Sequence, residues 1–287
     1  MPDLEKQAAS LNALREKSRF ARFYLASTLV LLIVLVIVLG LSYGIACASV
    51  VALLYQFVLR RDISAYREGY QIAILMNGAA SYLDVPAYQK KSALSLDDVR
   101  RDGCLPINNT HGIVRLEILG KWRGQPVRLC DISYMYQMKD ETKQRKAIPL
   151  SGCYIGIDLA NETGLRAVFC SKDILPLREL NAYYEKQGLV QCHSFSESDL
   201  ICFAGKQDTC FPKTLTQALS DTIKRFEGPI VLGINRSCVR MFLLRRFIAQ
   251  PAPVDRHMIT TVQLVADPLK ELAEVLHIVS SVSIDQS

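Results

Sequence analysis

Between Phe23 and Leu59 the chain has no Asp, Glu, Lys, Arg or His, and this gap of 37 residues is the most informative thing it lacks. Elsewhere the sequence is short of residues that carry common chemistry. Its histidines, His111, His193, His257 and His277, are too scattered for a metal-ligand spacing. None of the nine cysteines (Cys47, Cys104, Cys130, Cys153, Cys170, Cys192, Cys202, Cys210, Cys238) forms a C-x-x-C pair, which excludes a zinc framework built on closely spaced ligands. There is no internal repeat at a solenoid period and no low-complexity linker. From Arg60 onward, 29 basic and 25 acidic residues nearly cancel without forming a basic stripe, so no nucleic-acid partner is expected. No cofactor and no metal is expected either.

What is present first is a membrane signal. A single helix through the uncharged stretch would be about 55 Å long, against a hydrocarbon core of about 30 Å. Two shorter spans fit better, about 23–39 and 45–59, with the break at Gly40-Leu41-Ser42-Tyr43-Gly44, where glycines supply backbone freedom. Lys6, Arg15, Lys17, Arg19 and Arg22 precede the stretch, and Arg60, Arg61 and Arg67 follow it. Basic residues stay on the cytoplasmic side of a bilayer, and only a transmembrane helical hairpin keeps both clusters there. The expectation is an integral membrane protein, anchored in the lipid bilayer through residues 23–59, with both termini cytoplasmic. A cleavable signal peptide has a far shorter apolar core. A lipidation site at Cys47 would leave an apolar stub behind it. Residues 1–22 form a basic amphipathic segment in which Leu4, Ala8, Leu11 and Arg15 stand at helical spacing, ready for a membrane surface or a partner helix, or else a solvated helical extension of the first span.

Residues 60–287 read as one cytoplasmic α+β domain of antiparallel β-hairpins and helices. A helical stripe of Ile63, Tyr66, Tyr70, Ile74 and Leu75 continues from the second span. Ser95-x-x-Asp98 opens a short helix that stops at Gly103. Four hairpins are expected: 113–119 with 127–133 across a longer loop, 149–159 with 165–170, 189–195 with 200–204, and 230–234 with 239–244. Helices are expected at 175–187, at 214–226 behind a capping box of Thr214 and Gln217, and from Asp267-Pro268 to about Val279.

Candidate chemistry is sparse. Trp122 and Arg123, in Gly120-Lys121-Trp122-Arg123-Gly124, are the candidate partner contact, because Trp and Arg are favoured at binding hot spots. Cys192-His193 pairs a nucleophile with a base in sequence, yet neighbours on a strand point to opposite faces. Val239–Phe247 has the composition of a membrane-surface strip, although a strand is the simpler reading. The cysteines in apolar runs read as small buried hydrophobes, consistent with a reducing compartment. Three N-x-[ST] sites, at Asn108, Asn161 and Asn235, read as turn chemistry.

The order of features, with Arg67–Ser81, Cys130–Met138 (CDISYMYQM), Pro149–Leu159 (PLSGCYIGIDL) and Thr214–Leu244, resembles the bacterial domain-of-unknown-function family 3137. That resemblance implies a bacterial inner-membrane protein with a hydrophobic hairpin and a cytoplasmic α+β domain, and supplies no catalytic residues. Three functions are compatible. The favoured one is a membrane-anchored interaction or scaffold protein with a protein partner on the cytoplasmic side. The second is a membrane-bound enzyme whose site is assembled from distant residues, with a thiol such as Cys104 or Cys192 as nucleophile. The third is a pathogen protein acting at a host membrane.

Overall fold

The computed structural model describes residues 4–55, 60–109, 111–139, 145–160, 162–194, 200–205, 219, 228–244, 258–264 and 269–284. The chain is α+β and divides into two compact units: residues 1–78 with 250–268, and residues 79–249 with 269–287.

The first unit is helical. Helix α1 runs unbroken from Leu4 to Leu39, so the basic segment and the first apolar stretch form one rod. By length and composition α1 can cross a membrane. It ends at Gly40, whose φ of 91° only glycine adopts readily. Helix α2 (Leu41–Leu54) follows directly. A Cβ at Gly44 would overlap the Val36 side chain, so the missing side chain lets the two helices approach. Farther along, Leu25, Leu29 and Leu32 share an apolar groove with Ala48, Val51, Ala52 and Tyr55. Helix α3 (Arg60–Ala80) buries Tyr66, Tyr70 and Ile74 in one cluster with Ala8 and Leu11 of α1. The N-terminal stripe is therefore covered by this chain's own helix. Ile259 and Leu264 complete the cluster beside the short helix α6 (Thr261–Leu264). The Asn12 side chain brackets Ile259, donating to its carbonyl at 3.0 Å and accepting from its N–H at 2.9 Å. Asn77 donates to the Leu264 carbonyl at 3.2 Å.

The second unit is built on one antiparallel sheet. Its strands are β1 (Asp84–Gln89), β2 (Gly112–Trp122), β3 (Gln125–Lys139), β4 (Arg145–Asp158), β5 (Arg166–Ser171), β6 (Val190–Ser194), β7 (Leu200–Ala204), β8 (Ile230–Asn235) and β9 (Cys238–Leu244). They lie in the order β1-β2-β3-β4-β9-β8-β5-β7-β6. Helices α4 (Leu96–Arg101) and α5 (Leu177–Lys186) pack Leu96, Val99, Leu180, Tyr183 and Tyr184 onto one sheet face. A cross-strand row on that face runs Cys130, Tyr154, Phe242, Val231, Cys170 and Ile201. The row on the opposite face, Leu129, Ile155, Met241, Leu232, Phe169 and Cys202, is equally buried. Helix α7 (Lys270–Ile284) buries Leu272, Val275, Leu276 and Ile278.

Several sequence expectations change here. The hairpin of 149–159 with 165–170 does not form: β4 pairs with β9 on its far side, while β5 lies between β8 and β7. The Gly164 segment is a crossover, because the edge of β4 goes to a partner far along the chain. The first hairpin turns on Arg123 and Gly124 alone, both with positive φ as a two-residue primed turn requires, so Lys121 and Trp122 belong to β2. Val239–Leu244 is an interior strand, not a membrane-surface strip. Strand β1 has no counterpart in the sequence reading. The expected 214–226 helix and the Asp267-Pro268 start lie outside the described residues.

Candidate functional site

At one end of the α4 and α5 layer the sheet face is left open, and a concavity of about 400 Å³ forms there. Its floor comes from the pairing register. Arg128 on β3 lies opposite Gly156 on β4, which lies opposite Arg240 on β9. Paired residues share a face, so two guanidiniums flank a position with no side chain. Tyr154 and Asp158, two residues either side of Gly156, share that face. Leu94, Leu119, Pro126 and Val127 give an apolar wall, and Asp98 and Asp102 close the rim.

Arg240 is the hub. Its Nε lies 2.8 Å from Asp102 Oδ2 and its Nη2 lies 2.7 Å from Asp158 Oδ1. Its Nη1 donates to the Ile157 carbonyl at 3.0 Å. Burial alone would lower the arginine's pKa, but Tyr154, Cys238 and Asp102 outweigh it and hold the value above the ordinary one. Tyr154 donates its hydroxyl to Asp102 Oδ2 at 3.2 Å. Burial raises that phenol's pKa well above its usual value, so it stays a donor.

Asp102, the C-cap of α4, is pinned from below. Asn235 Nδ2 donates to its carbonyl at 3.4 Å. Next along, Cys104 sits where a Cβ on Gly233 would be, so the absent side chain on β8 lets the segment lie flat on the sheet. Tyr183 and Tyr184 then clamp the same segment, donating to the Leu105 and Cys104 carbonyls at 2.7 and 2.8 Å. The start of α4 is fixed by a capping box: Ser95 Oγ accepts from the Asp98 N–H, and Asp98 Oδ2 accepts from Ser95 N and Oγ at 3.0 and 2.6 Å. Those Ser95 hydrogen bonds hold the Asp98 carboxyl below its ordinary pKa.

The second arginine is held differently. A bulge between Arg115 and Glu117, with Leu116 at φ 52°, turns Glu117 onto the helix-covered face opposite Cys130. Glu117 is fully buried; its Oε2 accepts from the Ala93 N–H at 2.8 Å, and its Oε1 lies 2.8 Å from Arg128 Nε. The two side chains form an ion pair in which Oε1 has no hydrogen-bond partner.

Trp122 and Arg123 stand at the tip of the β2–β3 hairpin, whose stems carry the apolar wall. The Arg123 guanidinium lies 4.8 Å over the Trp122 ring, and neither residue lines the concavity. Cys192, half-buried on the edge strand β6, donates to the Val190 carbonyl at 3.3 Å and is not brought to the concavity. Cys104 lies under Asp102, fully buried, and desolvation, then Cys238 and Asp102, push its thiol pKa far up, the opposite of what a nucleophile needs. Burial acts the same way on Cys130, Cys202 and Cys170, the last pushed up to about 12. The eight described cysteines are all free thiols. Among the described residues no group of His, Cys, Asp and Glu is placed to hold a metal ion.

Sequence reasoning missed the concavity because its polar residues come from three strands and a helix, with no local motif. The one available signal was Ser95-x-x-Asp98, a capping box followed by Asp102. No protein-family model matches the chain, and no curated protein matches it. A solved structure, the crystal structure of the mycobacterial trehalose monomycolate transport factor A, TtfA, is similar with a TM-score of 0.40 and 8% sequence identity, covering 75% of this chain and 97% of that one.

Proposed function

We propose that the chain is a membrane-anchored interaction protein. Its apolar helices α1 and α2 enter the bilayer as a hairpin, and its second unit recognises a protein partner on the cytoplasmic side. The observation that carries the anchoring is the packing of Ala8 and Leu11, which precede the uncharged stretch, against Tyr66, Tyr70 and Ile74, which follow it. Two flanks that share one core share one aqueous compartment. The same packing argues against removal of α1 as a signal sequence, since cleavage would strip Ala8 and Leu11 from that core. The exposed Phe20, Phe23 and Tyr24, next to Arg19 and Arg22, suit the interfacial belt where aromatic rings and cations gather. The apolar half of α1 is about 25 Å long at 1.5 Å per residue, so the hairpin is a shallow one that thins the bilayer or stops short of the far headgroups.

Recognition, rather than catalysis, is favoured because each arginine of the concavity is anchored by carboxylates, Arg240 by Asp102 and Asp158 and Arg128 by Glu117, which positions guanidiniums to bind rather than to move protons. The hairpin tip supplies a half-buried Trp122 with the exposed Arg123 over its ring. Two experiments test the reading. Compartment reporters fused to the two chain ends should both signal from the cytoplasm; opposite faces would overturn the hairpin. A photo-crosslinker at Trp122 in intact membranes should trap a discrete partner that one at the exposed Glu162 does not. Identical patterns from both positions would remove the interaction reading.

A further inference from the structure

We propose that the concavity over Gly156 binds a small zwitterion of the amino-acid class: a carboxylate and an ammonium a short distance apart, carrying an apolar side group. The inference goes beyond the partner-binding reading and does not depend on it. It rests on which hydrogen-bonding groups remain unspent. Arg128 Nε stands 2.8 Å from Glu117 Oε1 as an ion pair without hydrogen-bond alignment, and Nη1 and Nη2 have no partner among the described residues. These N–H donors form a fork of the geometry that grips a carboxylate through two parallel bonds. The ion pair keeps the fork at this wall, because Glu117 is fully buried and held by the Ala93 N–H on the bulge at Leu116.

The opposite side of the concavity offers the complementary charge. Asp102 and Asp158 share the single cation Arg240, which contacts only Oδ2 of the first and Oδ1 of the second. Asp102 Oδ1 and Asp158 Oδ2 accept nothing among the described residues, and this pair carries one net negative charge. A plain anion would meet the fork but also that excess; a plain cation would meet the carboxylates but leave the fork empty. A zwitterion satisfies both. The apolar wall of Leu94, Leu119, Pro126 and Val127 then takes a side group. A volume of about 400 Å³ lies near the small end of ligand sites, which suits a molecule of this size.

Titration calorimetry on the full chain in detergent tests this with four probes. L-Leucine carries all three features. Leucinamide lacks the carboxylate, 4-methylpentanoate lacks the ammonium, and glycine lacks the apolar group. L-Leucine should bind on the order of tenfold or more tighter than each of the others, a difference of about 1.4 kcal/mol. Arg128→Lys, which keeps the charge but not the fork, should weaken L-leucine and leave leucinamide unchanged. Asp158→Asn should weaken L-leucine and, by removing the excess negative charge, bind 4-methylpentanoate no more weakly than the unaltered chain does. Unaltered unfolding midpoints show that both variants fold, and the four probes on the unaltered chain decide the matter by themselves. No heat from L-leucine at millimolar concentration, or equal affinity for L-leucine and either half-probe, overturns the proposal.

Discussion

Replacing Arg128 by methionine should leave the buried Glu117 carboxylate as an orphaned charge. Glu117 is fully buried, and its Oε1 faces Arg128 Nε at 2.8 Å. Removing one partner of a buried pair costs about 3–5 kcal/mol, because the remaining charge keeps its desolvation penalty and loses its compensation. Arg128 is 38% exposed in its side chain, which screens the pair and moves the expectation to the lower end, about 3 kcal/mol. Urea unfolding followed by the fluorescence of Trp122, the only tryptophan, reports directly on the hairpin that carries Arg128. Adding Glu117→Leu should restore much of the loss. A deficit under about 1 kcal/mol, or a loss that Glu117→Leu does not relieve, would refute the reasoning.

Other outcomes follow from the same geometry. Cys170, pushed from 9.0 to about 12 by burial, keeps its proton in the folded state. Stability should fall as pH rises through that window, and Cys170→Ala should flatten the slope measured by urea midpoints from pH 8 to 10. Maleimide should leave Cys104 and Cys130 unmodified at pH 7.5 until urea is added, as read by intact-protein mass spectrometry; rapid native labelling of either contradicts their burial. Gly233→Ala should cost about 1–3 kcal/mol in the same unfolding assay, because its methyl meets Cys104 in a filled core. Tyr154→Phe should cost about 1 kcal/mol, the worth of its hydrogen bond to Asp102, and an unchanged midpoint would show that bond to be idle.

Local chemistry was readable from the chain where it was decisive. The stripe of Tyr66, Tyr70 and Ile74, the Ser95–Asp98 box and the β8–β9 turn each follow from neighbours a few residues apart. The α+β class followed from those parts. The strand order did not. Leu200–Ala204 is buried at every position, so its alternation is erased, and nothing local says that it pairs with β5 as well as β6. Strand β1 was hidden for a different reason: it is short, exposed at alternate residues and carries Pro86, as edge strands do. The concavity was the least legible. Glu117 reads as an ordinary surface residue of an alternating strand, and only the bulge at Leu116 turns it inward to meet Arg128.

The long reach from β4 to β9 has a consequence during synthesis. Gly152 to Asp158 must wait for Leu244 to Cys238, at least eighty residues later, before that side of β4 is covered by its native neighbour. By then the apolar helices have long since left the ribosome. The growing polypeptide therefore carries a half-built sheet with an open, strand-pairing margin, the kind of surface on which nascent chains stick together. Were the apolar segment made first to insert in a bilayer as proposed, it would keep such chains apart in a plane while the last strands arrive.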